Sequence, residues 1–117
     1  MATSVNYDMD QGADFSFTLT IKSENGTPKN ISSEYEILCQ MRKYYTSSNY
    51  VTFTPVMVDG TYGQVKIQMG GTATSEIKPG VYFYDVELIA SRTNPIEPNA
   101  RYRVQQGMIT VYPEVTR

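Results

Sequence analysis

The chain has 117 residues, of which 40% are hydrophobic and 19% charged; its formal net charge is −2, and it contains ten tyrosines but no tryptophan and no histidine. That length suits one domain with a real core, and the composition argues against disorder. A pI near 5.0 without any basic run makes nucleic acid and anionic membranes poor partners, and no stretch approaches the roughly 20 apolar residues of a membrane-spanning helix.

Residues 1–14 are polar apart from Val5, Tyr7 and Met9, which alternate. They predict a short N-terminal arm or edge strand, ended by a turn at Gln11-Gly12. Phe15, Phe17, Leu19 and Ile21 then alternate with Ser16, Thr18, Thr20 and Lys22, the period-2 signature of a half-buried strand. Asn25-Gly26 writes a tight turn, and Pro28 should end pairing or sit at an edge. Ile31 begins a short return, followed by a turn at Ser32-Ser33-Glu34.

Tyr35 to Lys43 contains helix formers, but Tyr35, Ile37, Cys39 and Met41 fit period 2, so a strand is expected. Tyr44 to Tyr50 is a polar, aromatic loop. Val51 to Val58 reads as an edge or bulged strand interrupted at Pro55. Asp59-Gly60 turns the chain into Gln64–Met69, with Val65, Ile67 and Met69 inward. After Gly70-Gly71, residues 72–77 predict one helical turn capped by Ser or Thr.

Pro79-Gly80 releases the densest strand, 81–90. Tyr82, Tyr84, Val86 and Leu88 share its buried face; Val81, Phe83, Asp85, Glu87 and Ile89 share a half-covered one. Such a pattern suits a central strand. A loop stiffened by Pro95 and Pro98 follows. Arg101 to Tyr112 then forms a last strand bent at Gly107, where an extra residue or a close backbone approach is expected.

Turn signals recur at roughly the 8–12 residue spacing of a sandwich or barrel. Tyr82 adds a hint, because immunoglobulin-like sandwiches fold a tyrosine hydroxyl back onto the corner before a late strand. Core aromatic is the other reading of Tyr82. The expected fold is an all-β, immunoglobulin-like antiparallel β-sandwich of about seven or eight strands, with Pro79, Gly80, Tyr82 and Tyr84 as fold-determining positions. Residues 15–112 form the sandwich, and 113–117 a polar C-terminal tail.

Chemistry is scarce. Without histidine there is no Ser–His–Asp or Cys–His nucleophile and no histidine metal site. Cys39, the single cysteine, cannot form an internal disulfide, and its apolar alternating neighbours mark a buried, inert thiol. Gly60-Thr-Tyr-Gly63 and Gly70-Gly71 lack the spacing of a phosphate loop. Asp8, Asp10 and Asp14 could hold a hard cation, but their spacing is not that of the helix-loop-helix calcium site; solvated turn acids are the preferred account. No catalytic residue, metal or cofactor is therefore expected, and an enzyme is not. Asn25-Gly-Thr27 and Asn30-Ile-Ser32 match the glycosylation pattern by chance, since no apolar run after Met1 could act as a signal peptide. Tyr44, Tyr45 and Tyr50 could stack on sugars, anchor a protein interface, or simply lean on the core.

Several segments together carry a resemblance: Tyr7-Asp8 with Gln11-Gly-Ala-Asp-Phe15, the strand Phe15–Lys22 with Glu24-Asn-Gly-Thr-Pro28, Gln40-Met-Arg42, Gly63-Gln-Val-Lys-Ile67, residues 72–85, and Gln106-Gly-Met-Ile-Thr-Val-Tyr-Pro-Glu-Val-Thr-Arg117. In this order they resemble small virion structural proteins of tailed bacteriophages, and the N-terminal β-sandwich docking domains of phage baseplate and tail fibre proteins. Asn30–Tyr35 and the loop at 92–100 depart from that pattern.

The resemblance implies a non-enzymatic virion component that binds other phage virion proteins in many symmetry-related copies, in the tail, baseplate or neck apparatus, with capsid (head) decoration as the alternative. It implies a chain made in the host cytoplasm and carried in the virion, with no nucleic acid and no membrane as partners. Tyr7, Asp8, Tyr44, Tyr45 and Tyr50 are the expected interface residues, with residues 1–14 and 113–117 as attachment arms. A carbohydrate-binding or host-adhesion module using the Tyr44–Tyr50 loop is the reading from another class.

Overall fold

The structure, a computed structural model, describes residues 3–23, 25–32 and 34–115. The alternating segments become strands: β1 (Thr3–Ser4), β2 (Tyr7–Asp10), β3 (Phe15–Thr20), β4 (Tyr35–Arg42), β5 (Val51–Thr52), β6 (Thr54–Asp59), β7 (Gln64–Met69), β8 (Gly80–Ala90) and β9 (Arg101–Tyr112). One sheet runs β1-β9-β8-β4-β5, with β2 also on β9; the other runs β3-β7-β6. Both β1 and β2 lie parallel to β9, and every other pairing is antiparallel. The result is an immunoglobulin-like β-sandwich.

The core is the sum of the inward faces. Phe15 and Phe17 of β3 and Val65, Ile67 and Met69 of β7 meet Ile37, Cys39 and Met41 of β4, Tyr84, Val86 and Leu88 of β8, and Ile109 and Val111 of β9, all buried. Each large apolar side chain contributes about 1.5–3 kcal/mol on burial. As its pattern predicts, β8 is central, between β4 and β9, and the helix-former content of β4 yields to burial of its period-2 face.

At the head of β8 the Tyr82 hydroxyl donates to the Lys78 carbonyl at 2.7 Å. That is the geometry of a tyrosine corner, closing the turn before a late strand. Antibody domains carry an inter-sheet disulfide two residues further on. Tyr84 stands there instead, its ring 5.8 Å from that of Phe17 across the sandwich.

Of the two readings of the N-terminal segment, arm or edge strand, its described part takes the second, as β1 and β2 at the edge of the larger sheet. Over residues 3–10 it is sheet, and Met9 is fully buried. A buried polar network holds it there. Tyr84 Oη donates to the Val5 carbonyl at 2.7 Å, and Gln105 Nε2 donates to Tyr84 Oη at 3.1 Å and to Tyr7 Oη at 3.0 Å. Gly107 makes this docking possible. Its φ is +157°, and a Cβ there would lie 2.0 Å from the Val5 oxygen. The close approach expected at Gly107 is present, while the extra residue falls at Val104, where β8 and β9 shift register. The C-terminal tail is tied as well, through Glu114 N to Gln11 Oε1 at 3.0 Å. Residues 1, 2, 116 and 117 of the two expected arms lie outside the described residues.

Other boundaries also moved. The segment 51–58 breaks at buried Phe53 rather than at Pro55, because the chain leaves one sheet there and joins the other. Pro55 sits within β6, an edge strand of the three-stranded sheet, where a missing donor costs no ladder bond. Ile31 forms no strand; it is a buried loop plug whose N–H donates to the Gly60 carbonyl at 2.8 Å. The helical turn exists as α1 (Gly71–Thr74), but Gly70 holds its N-cap position. Asp14 Oδ1 does the capping from another element, accepting from Gly71 N at 2.8 Å.

Candidate functional site

Strand register places the side chains on the outer face of the larger sheet. Glu36, Leu38, Gln40 and Arg42 of β4 lie beside Ile89, Glu87, Asp85 and Phe83 of β8. These in turn lie beside Arg101, Arg103, Gln106 and Met108 of β9. Ser4 and Asp8 flank Gln106 and Thr110 from the far edge. One side of β8 is thus a column of acids and its neighbour a column of bases. Arg103 Nε lies 3.2 Å from Asp85 Oδ2, and Arg101 Nε lies 2.9 Å from Glu87 Oε1. A shallow hollow of about 300 Å³ between Leu38, Tyr45, Phe83 and these charges marks the face. Partial burial and then the neighbouring Glu87 raise the Asp85 carboxyl, against the lowering pull of Arg103.

Onto this face folds the loop 43–50. The Arg42 guanidinium donates to the Ser47 carbonyl and lies 4.7 Å from the Tyr50 ring centroid, while Tyr44 N donates to Ser47 Oγ at 3.1 Å. Tyr45 stacks on Phe83, with ring centroids 4.5 Å apart and planes 22° apart. These contacts tether the loop, yet its tyrosines are displayed: Tyr44, Tyr45 and Tyr50 are 63%, 81% and 53% exposed. Lys43 Nζ reaches over the Tyr82 ring at 5.2 Å.

The expected interface set therefore divides. Tyr44, Tyr45 and Tyr50 share one loop. Asp8 is exposed on β2, at the opposite edge of the same sheet. Tyr7 is partly buried, its ring stacking on Phe17 at 4.3 Å and its hydroxyl joining the network of Gln105 and Tyr84. Pro79, Gly80, Tyr82 and Tyr84 build the fold and present no site. Asp8 and Asp10 project from β2, and Asp14 is a cap; no metal-type cluster of three or more His, Cys, Asp or Glu occurs among the described residues. Burial, and secondarily Asp85, pushes the Cys39 thiol up to about 12, which leaves it protonated and unreactive.

Sequence reasoning missed a cluster that joins the loops 21–34 and 91–100. The Glu97 carboxylate accepts from the Tyr35 and Tyr102 hydroxyls and pairs with Lys29 Nζ at 2.7 Å. Those donors, Lys29 foremost, hold Glu97 down at about 2, and Glu97 raises Lys29 in return. Lys29 also lies over both tyrosine rings, at 5.6 and 5.7 Å. The arrangement clamps two loops.

No family model matches the chain, and no curated protein matches it. Among solved structures, AggA, the major subunit of aggregative adherence fimbriae type I from Escherichia coli, is similar at 10% identity and a TM-score of 0.42, over 90% of this chain and 89% of AggA. A family 123 glycoside hydrolase from Clostridium perfringens is similar at 13% identity and a TM-score of 0.43, over 97% of this chain but 23% of the hydrolase.

Proposed function

We propose that the protein is a non-enzymatic structural component of a tailed-phage virion, an immunoglobulin-like module that binds other particle subunits in the tail, baseplate or neck apparatus. The sequence resemblance supplies the particle. The observation that carries the binding role is the loop 43–50, whose exposed tyrosines are held in place by Arg42 and by stacking on Phe83. Tyrosine and arginine are the residues enriched at protein interfaces, and a pre-ordered loop loses little entropy on docking. Reconstruction of purified particles by electron microscopy tests the proposal. Density for this chain on the tail, baseplate or neck is the expected result; density on the capsid lattice would make it a head decoration protein, and absence from the particle would defeat both.

A glycan-binding role is the second reading. It is favoured by one open face of the Tyr45 ring beside Gln40 and Arg42 at the rim of the outer-face hollow, an arrangement suited to stacking and hydrogen bonding with a sugar. Glycan-array binding that disappears in Tyr45→Ala supports it, and a blank array removes it.

A further inference from the structure

The outer face of the larger sheet is complementary to itself, and we infer that it pairs two copies of this chain about a two-fold axis. Apart from the two-residue β5 beyond β4, the strands across the face run β4, β8, β9 and then β1 with β2. The seam between β8 and β9 is therefore central, with β4 on one side and β2 equally far on the other. A two-fold axis laid along that seam, parallel to the strands, exchanges β8 with the partner's β9 and β4 with the partner's β2.

The charged centre of the face then meets its complement, while Asp85 faces the partner's Gln106 and Ile89 faces the partner's Arg101. Glu87 faces the partner's Arg103, its register mate, so acids and bases that already pair within one copy can pair between copies. Tyr45, stacked over Phe83, is set against the partner's Met108, the register mate of Phe83, an aromatic–sulfur contact. Arg42, on β4, comes to the edge that carries the partner's Asp8. The face is also more apolar than a solvated one needs to be, since Phe83 and Leu38 are joined by Val81 and Met108, which are 42% and 38% exposed. Shape agrees with charge: Tyr45 raised over Phe83 forms a ridge on one side of the seam, and the axis sets it against the lower Met108–Thr110 side of the second copy.

Four strands by six residues give a footprint of about 400 Å² in projection. Counted over both copies that is about 800 Å², below the roughly 1,200 Å² of a standard specific interface, so the pair is a weak one that forms only at high concentration. Because the axis runs along the strands, both 43–50 loops emerge at the same end, where paired docking multiplies affinity. The inference rests on the sheet face alone and stands apart from the virion reading.

Sedimentation velocity on the native chain tests it. The mass should move from 13.2 kDa toward twice that value as concentration rises. Glu87→Arg and Arg103→Glu should each remain monomeric, while an equimolar mixture of the two should recover the dimer, because each mixed pair restores opposite charges on both sides of the axis. Met108→Lys, beside the axis, should also abolish association. A native chain that stays monomeric up to its solubility limit overturns the inference, as does undiminished self-association of either charge variant.

Discussion

The two loop ends of the sandwich use the same residue type in opposite ways. At the end formed by residues 21–34 and 91–100, Tyr35 and Tyr102 turn their hydroxyls onto Glu97, and the loops are clamped. At the other end, Tyr44, Tyr45 and Tyr50 are held by their rings and backbone and leave most of their surface in water. Tyrosine has an apolar body and a polar tip, and which part the fold engages decides whether it serves stability or display. The displayed end is where the proposed partner would dock.

Substitutions should separate these uses, and the largest loss belongs to the anchored tyrosine with the most partners. Tyr84→Ala empties a buried ring site and removes the hub of the network that holds residues 3–10, which should cost about 3–5 kcal/mol in chemical denaturation. Gly107→Ala forces a Cβ against the Val5 carbonyl at a φ that non-glycine residues avoid. A loss of about 1–3 kcal/mol is expected, with hydrogen-exchange protection lost over residues 3–10 before the rest of the sheet. Tyr82→Phe deletes one corner hydrogen bond and should lower stability by about 1 kcal/mol; an unchanged melting temperature would reduce Tyr82 to ordinary core.

The clamp has a pH signature. Glu97 is held at about 2 in the folded protein, from an ordinary value of 4.5. Its contribution is therefore fully present above that ordinary value and disappears as pH falls toward 2. The melting-temperature gap between the native protein and Glu97→Gln should be widest near neutral pH and close through that acid window. A gap independent of pH would mean that the clamp acts by packing alone. Smallest of all, Tyr44→Ala and Tyr50→Ala should change stability by no more than about 0.5 kcal/mol, the usual range for surface substitutions.

The same contrast explains what was legible in the sequence. Alternation located β3, β4, β7 and β8 because burial on one face of a strand is a local, period-2 property. The corner at Pro79-Gly80-Val-Tyr82 was legible for a similar reason, since Tyr82 bonds only four residues back. Tyr7 and Glu97 were not. Tyr7 meets Gln105 across 98 positions and Tyr35 meets Glu97 across 62, so nothing nearby distinguishes an inward tyrosine from a displayed one. The switch at Phe53 was hidden similarly, because Pro55 looked like the break while the actual cause was the burial of Phe53 between sheets. Of the candidate surface, the tyrosine loop was visible as composition. The acid and base columns beneath it emerged only from the pairing of β8 with β9.

The most direct test of the proposed virion role of the displayed loop is a competition during phage assembly. Native chain and a Tyr44→Ala, Tyr50→Ala variant, both away from the two-fold seam, would be supplied together during assembly and counted in purified particles by mass spectrometry. The account predicts that the variant is depleted by about tenfold or more, as expected when interface anchors are truncated. Incorporation of both chains in the ratio supplied, or of neither, would contradict it.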